Sequence, residues 1–183
     1  MASIIPFRGR VPIVHPSAFV APNAVLIGDV EIGPLASVWY GCTLRADLAR
    51  IVVGARSNVQ DGTVIHTEGP RDGHAGERLD VLIGEDALIG HAAVLHGCII
   101  EDRGFVGMSA VVMDRARVCS GAMLGAGAML TPGKIVPPGE LWAGRPAKLM
   151  RALSAAEQAG LGEGVEHYLE LAAYHRDALA ERG

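Results

Sequence analysis

At 183 residues the chain is long enough for one domain with a substantial core, and half of its residues are hydrophobic although only 4% are aromatic. The net charge of −4 argues against a nucleic-acid partner, and no apolar run approaches the roughly 20 residues of a membrane span. Three cysteines without a close pair, and an N-terminus unlike a signal peptide, predict a cytoplasmic protein.

Large aliphatic residues recur every six positions along most of the chain, and glycine often follows them. The eighteen positions are Val14, Val20, Leu26, Ile32, Val38, Leu44, Val53, Val59, Ile65, Ile83, Ile89, Leu95, Ile100, Val106, Val112, Val118, Leu124 and Leu130. A helix repeats about every 3.6 residues and a strand every two, so a period of six predicts short strands separated by corners. This hexapeptide pattern is typical of a parallel β-helix, and three hexads a coil predict about six coils.

The pattern divides the chain into an N-terminal arm (1–13), a β-helix (14–148) and C-terminal helices (149–183). Three extra residues interrupt the repeat around "DLAR" (47–50), and a polar excursion over 67–80 lies between one face and the next. The step from Leu95 to Ile100 is five residues, one short of the regular six. Breaks of this kind often lie on the binding face of a repeat protein.

The tail begins with a capping box, in which Ser154 and Glu157 cap a helix. Gly160, Gly162 and Gly164 follow within the same segment, so we expect them to interrupt the first, short helix. A second, amphipathic helix is predicted after the glycines. We expect this tail to pack along the β-helix.

The register of the hexads predicts which outward side chains stack on one another. We name the faces by the aliphatic residues that begin them in one coil: Val53 for face one, Val59 for face two and Ile65 for face three. The outward residues that follow the face-three aliphatics are Arg45, His66 and His96, in consecutive coils. Neighbouring strands are about 4.8 Å apart, so His66 and His96 could bind one metal ion.

His91 lies on a different face, directly above Asp61, so it could reach that metal only from another copy of the chain. Three histidines with one open position are typical of a catalytic zinc site. The alternative is that all three are ordinary surface histidines of a β-helix.

Three segments resemble the core of the gamma-class carbonic anhydrases: "WYGCTLRAD" (39–47), "RSNVQDGTVIH" (56–66) and "IGHAAVLHGC" (89–98). The resemblance covers nearly the whole chain. It implies a homotrimer of left-handed parallel β-helices with a metal ion shared between subunits. It also implies the reversible hydration of carbon dioxide to bicarbonate by a metal-bound hydroxide.

The resemblance implies roles for individual residues as well. His66 and His96 match the two histidine ligands of one subunit, and His91 matches the ligand of its neighbour. The metal would be zinc, with iron(II) or cobalt as alternatives, since imidazole suits all three.

The arginine and aspartate of the family's "RAD" element match Arg45 and Asp47, and its glutamine–aspartate pair matches Gln60 and Asp61. Tyr168 matches a tyrosine that relatives place near the metal. Each of these residues has an alternative structural role, as an interface ion pair or, for Tyr168, as part of the core.

Leu48 stands where the founding members of the family carry a glutamate implicated in proton transfer, so turnover could be slow. His74 or Glu68 in the polar excursion could replace that glutamate as a proton shuttle.

Two other classes of function stay open. Hexapeptide acyltransferases share the terminal "GRPAK" element (144–148), and a metal-dependent thioesterase would combine both signals. A catalytically silent structural subunit is the remaining alternative.

Overall fold

The computed structural model describes residues 2–70 and 76–181. Its architecture is a parallel β-solenoid of about eight turns, followed by one C-terminal helix. The predicted hexapeptide β-helix with a helical tail is therefore confirmed.

Two sheets form the walls of the solenoid. The 12-stranded sheet contains β1 Ser3–Ile5, β2 Ile13–Val14, β4 Val25–Ile32, β6 Thr43–Val53, β8 Val64–His66, β9 Val81–Ile83, β11 Val94–His96, β12 Ile99–Ile100, β14 Val111–Val112, β15 Arg117–Val118, β17 Met129–Leu130 and β18 Ile135–Val136. The 8-stranded sheet contains β3 Phe19–Val20, β5 Ser37–Val38, β7 Asn58–Val59, β10 Leu88–Ile89, β13 Phe105–Val106, β16 Met123–Leu124, β19 Glu140–Ala143 and β20 Lys148–Ala152. The larger sheet supplies faces one and three, which the long strands β4 and β6 join, and the smaller sheet supplies face two.

The predicted register of the faces is confirmed by strand pairing. The aliphatics that begin the three faces in consecutive coils are paired: Val53 with Ile83, Val59 with Ile89, and Ile65 with Leu95. Their side chains are buried and stack into one aliphatic core, with small residues such as Ala93 at the corners. The prediction of about six coils was too low, because strands at both ends extend the stacks beyond the regular hexads.

The predicted breaks coincide with irregular backbone. Gly28 pairs with Ala46 but Val30 pairs with Ile51, so the extra residues of "DLAR" bulge between the two registers. The polar excursion is closed by an antiparallel bridge between Glu68 and Leu79. Leu79 is buried, although no inward aliphatic residue was expected in that segment.

The tail differs from the prediction of two helices. β20 pairs antiparallel with β19, and a single helix, α1, runs without interruption from Ala155 to Ala180. The predicted capping box of Ser154 and Glu157 is present. The prediction failed because the three glycines lie inside a helix that tertiary contacts stabilise: Leu161 and Val165 are buried with Leu88 of face two. Among residues 2–70 and 76–181, no helix combines the length and the apolar character that a membrane span requires.

Candidate metal centre

His66 and His96 lie side by side on face three, as the register predicts. Their strands β8 and β11 are neighbours, and the two residues are paired across them. The ring centroids are 5.0 Å apart, close to the spacing of adjacent strands. The Nδ1 atom of His66 is 3.0 Å from the Nε2 atom of His96. Two imidazole nitrogens therefore converge on one point.

The outer nitrogen of each ring faces a carboxylate. His66 Nε2 is 2.9 Å from Asp47 Oδ1, and His96 Nδ1 is 2.5 Å from Asp114 Oδ1. Because an ionised carboxylate only accepts hydrogen bonds, each outer nitrogen carries the hydrogen. In the neutral rings, the two inner nitrogens then present lone pairs to each other. Lone pairs 3.0 Å apart repel unless a cation, either a proton or a metal ion, lies between them.

His91 has the same arrangement on the other side of the coil. Its Nδ1 atom is 2.9 Å from Asp61 Oδ2, so the hydrogen is on Nδ1 and the lone pair is on Nε2. The hydroxyl of Tyr168, on helix α1, is 3.4 Å from that Nε2 atom and can donate to it. Tyr168 also packs edge-to-face on Trp39, so this tyrosine is part of the apolar contact between α1 and face two.

The histidine pair fits a divalent metal ion as far as one chain allows. Tetrahedral ligands bonded at 2.0–2.1 Å lie about 3.3 Å apart, close to the separation of the two inner nitrogens. A carboxylate on the outer nitrogen is also the usual surrounding of a histidine ligand. Within residues 2–70 and 76–181, no group of three or more histidine, cysteine, aspartate or glutamate side chains is placed to hold a metal ion. Among these residues, His66 and His96 alone converge, and the third ligand expected from the sequence, His91 of another chain, stays a prediction.

Arg45 and Asp47 adjoin the histidine pair. Arg45 pairs with His66 across β6 and β8, and its guanidinium donates to Asp47 Oδ2 at 2.5 Å. Burial acts to raise the pKa of the Asp47 carboxyl, but hydrogen bonds from Arg45 and His66 outweigh it and lower that pKa. Asp47 is therefore ionised, which holds the hydrogen of His66 on Nε2. Burial lowers the pKa of His66, which favours its neutral, metal-binding form.

Gln60 lies on face two beside Asp61, away from the contacts of the pair. It is buried, and its amide nitrogen donates to Asn58 Oδ1 at 3.0 Å. The amide nitrogen of Asn58 is itself buried and has no hydrogen-bond partner in the described chain. A buried donor without a partner is costly, so this pair is suited to bind an oxygen atom from a ligand or another chain.

Sequence reasoning missed Asp114 and Asn58. Asp114 is two residues beyond the face-three aliphatic Val112 and lies one coil above Gly97, so its contact with His96 is diagonal and was not found by counting outward residues that stack directly. Asn58 directly precedes the face-two aliphatic Val59, and the polar amide at that position was the available signal; the structure shows that it is buried.

The region of the "DLAR" bulge holds a cavity of about 400 Å³ whose lining includes Asp47 and Leu48. Leu48 occupies the position at which the resemblance implies a proton-transferring glutamate, and it offers no titratable group. Of the two alternative shuttles, Glu68 accepts a hydrogen bond from the backbone of Gly69, and His74 lies outside the described residues.

Known proteins similar to this chain share its fold and much of its sequence. No protein-family model matches the chain. It is 43% identical over 164 residues to "Gamma carbonic anhydrase 2, mitochondrial" of Arabidopsis thaliana, covering 90% of this chain and 58% of that protein. It is 36% identical over 177 residues to the "Carnitine operon protein CaiE" of Salmonella agona, covering 96% and 84%. A "hexapeptide transferase family protein" from Anaplasma phagocytophilum has a TM-score of 0.87 and 46% identity, covering 93% and 96%.

The three plant gamma carbonic anhydrases are longer than this chain. The matched segment spans 58%, 60% and 64% of their lengths.

Proposed function

Because the chain belongs to the gamma-class carbonic anhydrase family of hexapeptide-repeat proteins, we propose that it is a metal-dependent carbonic anhydrase, which interconverts carbon dioxide and bicarbonate. One observation carries the proposal. Each of the three histidines has one ring nitrogen against a carboxylate, which leaves a lone pair on the other ring nitrogen. A surface histidine has no need of that arrangement, whereas a metal ligand does.

The metal site is shared between subunits of a homotrimer. His66 and His96 of one chain supply two ligands, and His91 of a neighbouring chain supplies the third. The side chains that precede the pair on face three support an interface there, since Val64 and Val94 are 43% and 39% exposed and form an apolar stripe beside the histidines. On forming the trimer, the Nε2 lone pair of His91 would exchange the hydroxyl of Tyr168 for the metal ion.

The metal is zinc, with iron(II) or cobalt as alternatives, because neutral imidazole binds all three. All three cysteines are free thiols, which supports a reducing compartment such as the cytoplasm.

The chain's residues prepare the site for this chemistry. When bound, a divalent ion acts as a Lewis acid that lowers the pKa of water to about 7. Asp47, Asp61 and Asp114 each fix the tautomer of one imidazole, so that its lone pair faces the metal position. Gln60 and Asn58 supply buried amide donors for an oxygen atom of water or bicarbonate. Arg45 keeps Asp47 ionised.

The first experiment measures metal content and carbon dioxide hydration on the same anaerobically purified sample. We expect about one metal ion per chain, and we expect both metal and hydration to be lost in His66→Ala. His167→Ala is the matched control, because His167 is an exposed histidine on α1 and should retain both properties. A chain that binds no metal after zinc or iron is added back would refute the proposal.

A second experiment tests whether the site is shared. His66→Ala and His91→Ala are each expected to lose the metal when purified alone. When the two variants are unfolded and refolded together, some interfaces join unlike subunits. Such an interface can take the pair His66 and His96 from the His91→Ala chain and His91 from the His66→Ala chain. Random assembly of equal amounts restores about one quarter of the sites. A site formed within one chain would show no restoration.

Acyl transfer is the second candidate, favoured by the name of the Anaplasma structure, a "hexapeptide transferase family protein". Bound metal without hydration would favour a thioester substrate, tested as hydrolysis of acetyl-coenzyme A by wild type and His66→Ala. Loss of thioester hydrolysis with the metal would identify a metal-dependent thioesterase. Metal without either activity would favour a catalytically silent subunit.

A further inference from the structure

Asp114 makes the shortest contact of the histidine pair with a carboxylate, and its setting differs from that of Asp47. Its Oδ1 atom is 2.5 Å from His96 Nδ1, and the two side chains are 31% and 32% exposed. Asp47 shares its charge between His66 and Arg45. The Asp114 carboxylate, by contrast, accepts a hydrogen bond from His96 and from no other side chain among the described residues.

The backbone beneath this contact is adapted to it. Asp114 lies one coil above Gly97, the residue that follows His96 at the shortened step of the repeat. A Cβ atom at Gly97 would lie 2.7 Å from Asp114 Oδ1 and 3.0 Å from the Cβ of Leu79. Gly97 also has a φ of +50°, which L side chains rarely adopt. A side chain at residue 97 would displace the carboxylate from His96.

From these contacts we infer that Asp114 is the positioning residue of His96 and that Gly97 provides the space it needs. This inference rests on the proposed metal site. Asp114 holds the hydrogen of His96 on Nδ1, so that Nε2 keeps its lone pair toward His66. Its unshared negative charge also makes His96 a stronger donor to a dication. Neither residue contributes a ligand, so the effect is on metal affinity.

The test measures zinc affinity of the full-length protein by competition with a chelator, and the visible spectrum of the cobalt-substituted protein. Asp114→Ala should weaken zinc binding about 10- to 100-fold. Asp114→Asn keeps an acceptor for the Nδ1 hydrogen but loses the charge, so its affinity should fall between wild type and Asp114→Ala. Glu101→Gln is the matched control, because Glu101 is 32% exposed and contacts Arg117 at 2.5 Å on face one. Its zinc affinity should equal that of wild type.

A double-mutant cycle separates positioning from a general effect on folding. Gly97→Ala should weaken zinc binding in the wild-type background but should add no further loss to Asp114→Ala, whatever it costs in thermal stability. Equal losses in Asp114→Ala and Glu101→Gln would overturn the inference, as would independent effects of residues 97 and 114. Zinc binding by Asp114→Ala as tight as in wild type would overturn this inference alone. A wild-type chain that binds no zinc would overturn the proposed function and this inference with it.

Discussion

The glycines of helix α1 allow a prediction whose sign depends on where each one faces. Gly160 and Gly162 are exposed, and a Cβ atom at either residue would have no heavy atom within 4 Å. Gly164 lies against face two, where a Cβ atom would be 3.0 Å from Leu88 Cδ1. The three residues thus share a helical backbone but differ in the space beside them.

The magnitude follows from helix propensity and packing. Alanine is about 1 kcal/mol more favourable than glycine inside a helix, so Gly162→Ala should raise the free energy of unfolding by about that amount. Gly160→Ala should do the same, and the double variant should gain about 2 kcal/mol. At residue 164 the same gain is opposed, because Leu88 is only 5% exposed and packs with Leu161. Overpacking such a core typically costs about 1–3 kcal/mol, so Gly164→Ala should gain no stability and should lose up to about 2 kcal/mol.

The assay is urea unfolding followed by helical circular dichroism, at one protein concentration because subunit association adds to apparent stability. Gly160→Ala serves as the internal control for Gly162→Ala. If Gly164→Ala gained as much as Gly162→Ala, the close packing of the helix on face two would be wrong. If Gly162→Ala lost stability, the continuous helix itself would be refuted.

Three further predictions concern the core, the thiols and the helix cap. Leu95→Ala removes a fully buried side chain from the core behind the histidine pair and should lower the free energy of unfolding by about 2–5 kcal/mol, measured by urea titration; a loss below about 1 kcal/mol would contradict the packing. Burial raises the pKa of Cys98 to about 12, so at pH 8 iodoacetamide should modify Cys119, which is partly exposed, while mass spectrometry finds Cys98 unmodified until the chain unfolds. The hydrogen bond from Arg151 is the largest cause that lowers the pKa of Glu157, from 4.5 to about 2. The ionised Glu157 carboxylate therefore contributes stability that is fully present above pH 4.5 and is lost as the pH falls through 2. Glu157→Gln should make the melting temperature less dependent on pH over that range, and an unchanged pH profile would argue against the cap.

The period of six was sufficient to predict the solenoid because one geometric requirement repeats in every coil. Each hexad needs one inward aliphatic residue and one small residue at the corner, so errors in a single hexad do not shift the others. The same register also determines which outward positions stack. The stacking of Arg45, His66 and His96 was predicted from counting alone and is confirmed. Counting cannot show whether these side chains bind a metal.

The features that the sequence did not reveal depend on contacts across coils or across elements. The contact of Asp114 with His96 is diagonal, and it requires the space left by Gly97 at a shortened step. Counting the outward residues that stack directly above one another does not detect this diagonal contact. The continuous helix depends on buried contacts with face two that outweigh the low helix propensity of its glycines. Propensity summed along the chain contains no information on those contacts.

The spacing of the solenoid supports the proposal that the metal site is shared between subunits. Side chains in one outward column are separated by about 4.8 Å a coil, so three successive imidazoles would span about 10 Å. Ligands bonded at about 2.0–2.1 Å must lie within about 4 Å of one another, which two neighbours in a column can achieve but three cannot. Arg45, the next residue of the column below His66, could not be replaced by a third histidine that reaches the same ion. One outward column of one chain therefore supplies two ligands at most, and the proposed site takes its third ligand, His91, from a second copy of the chain.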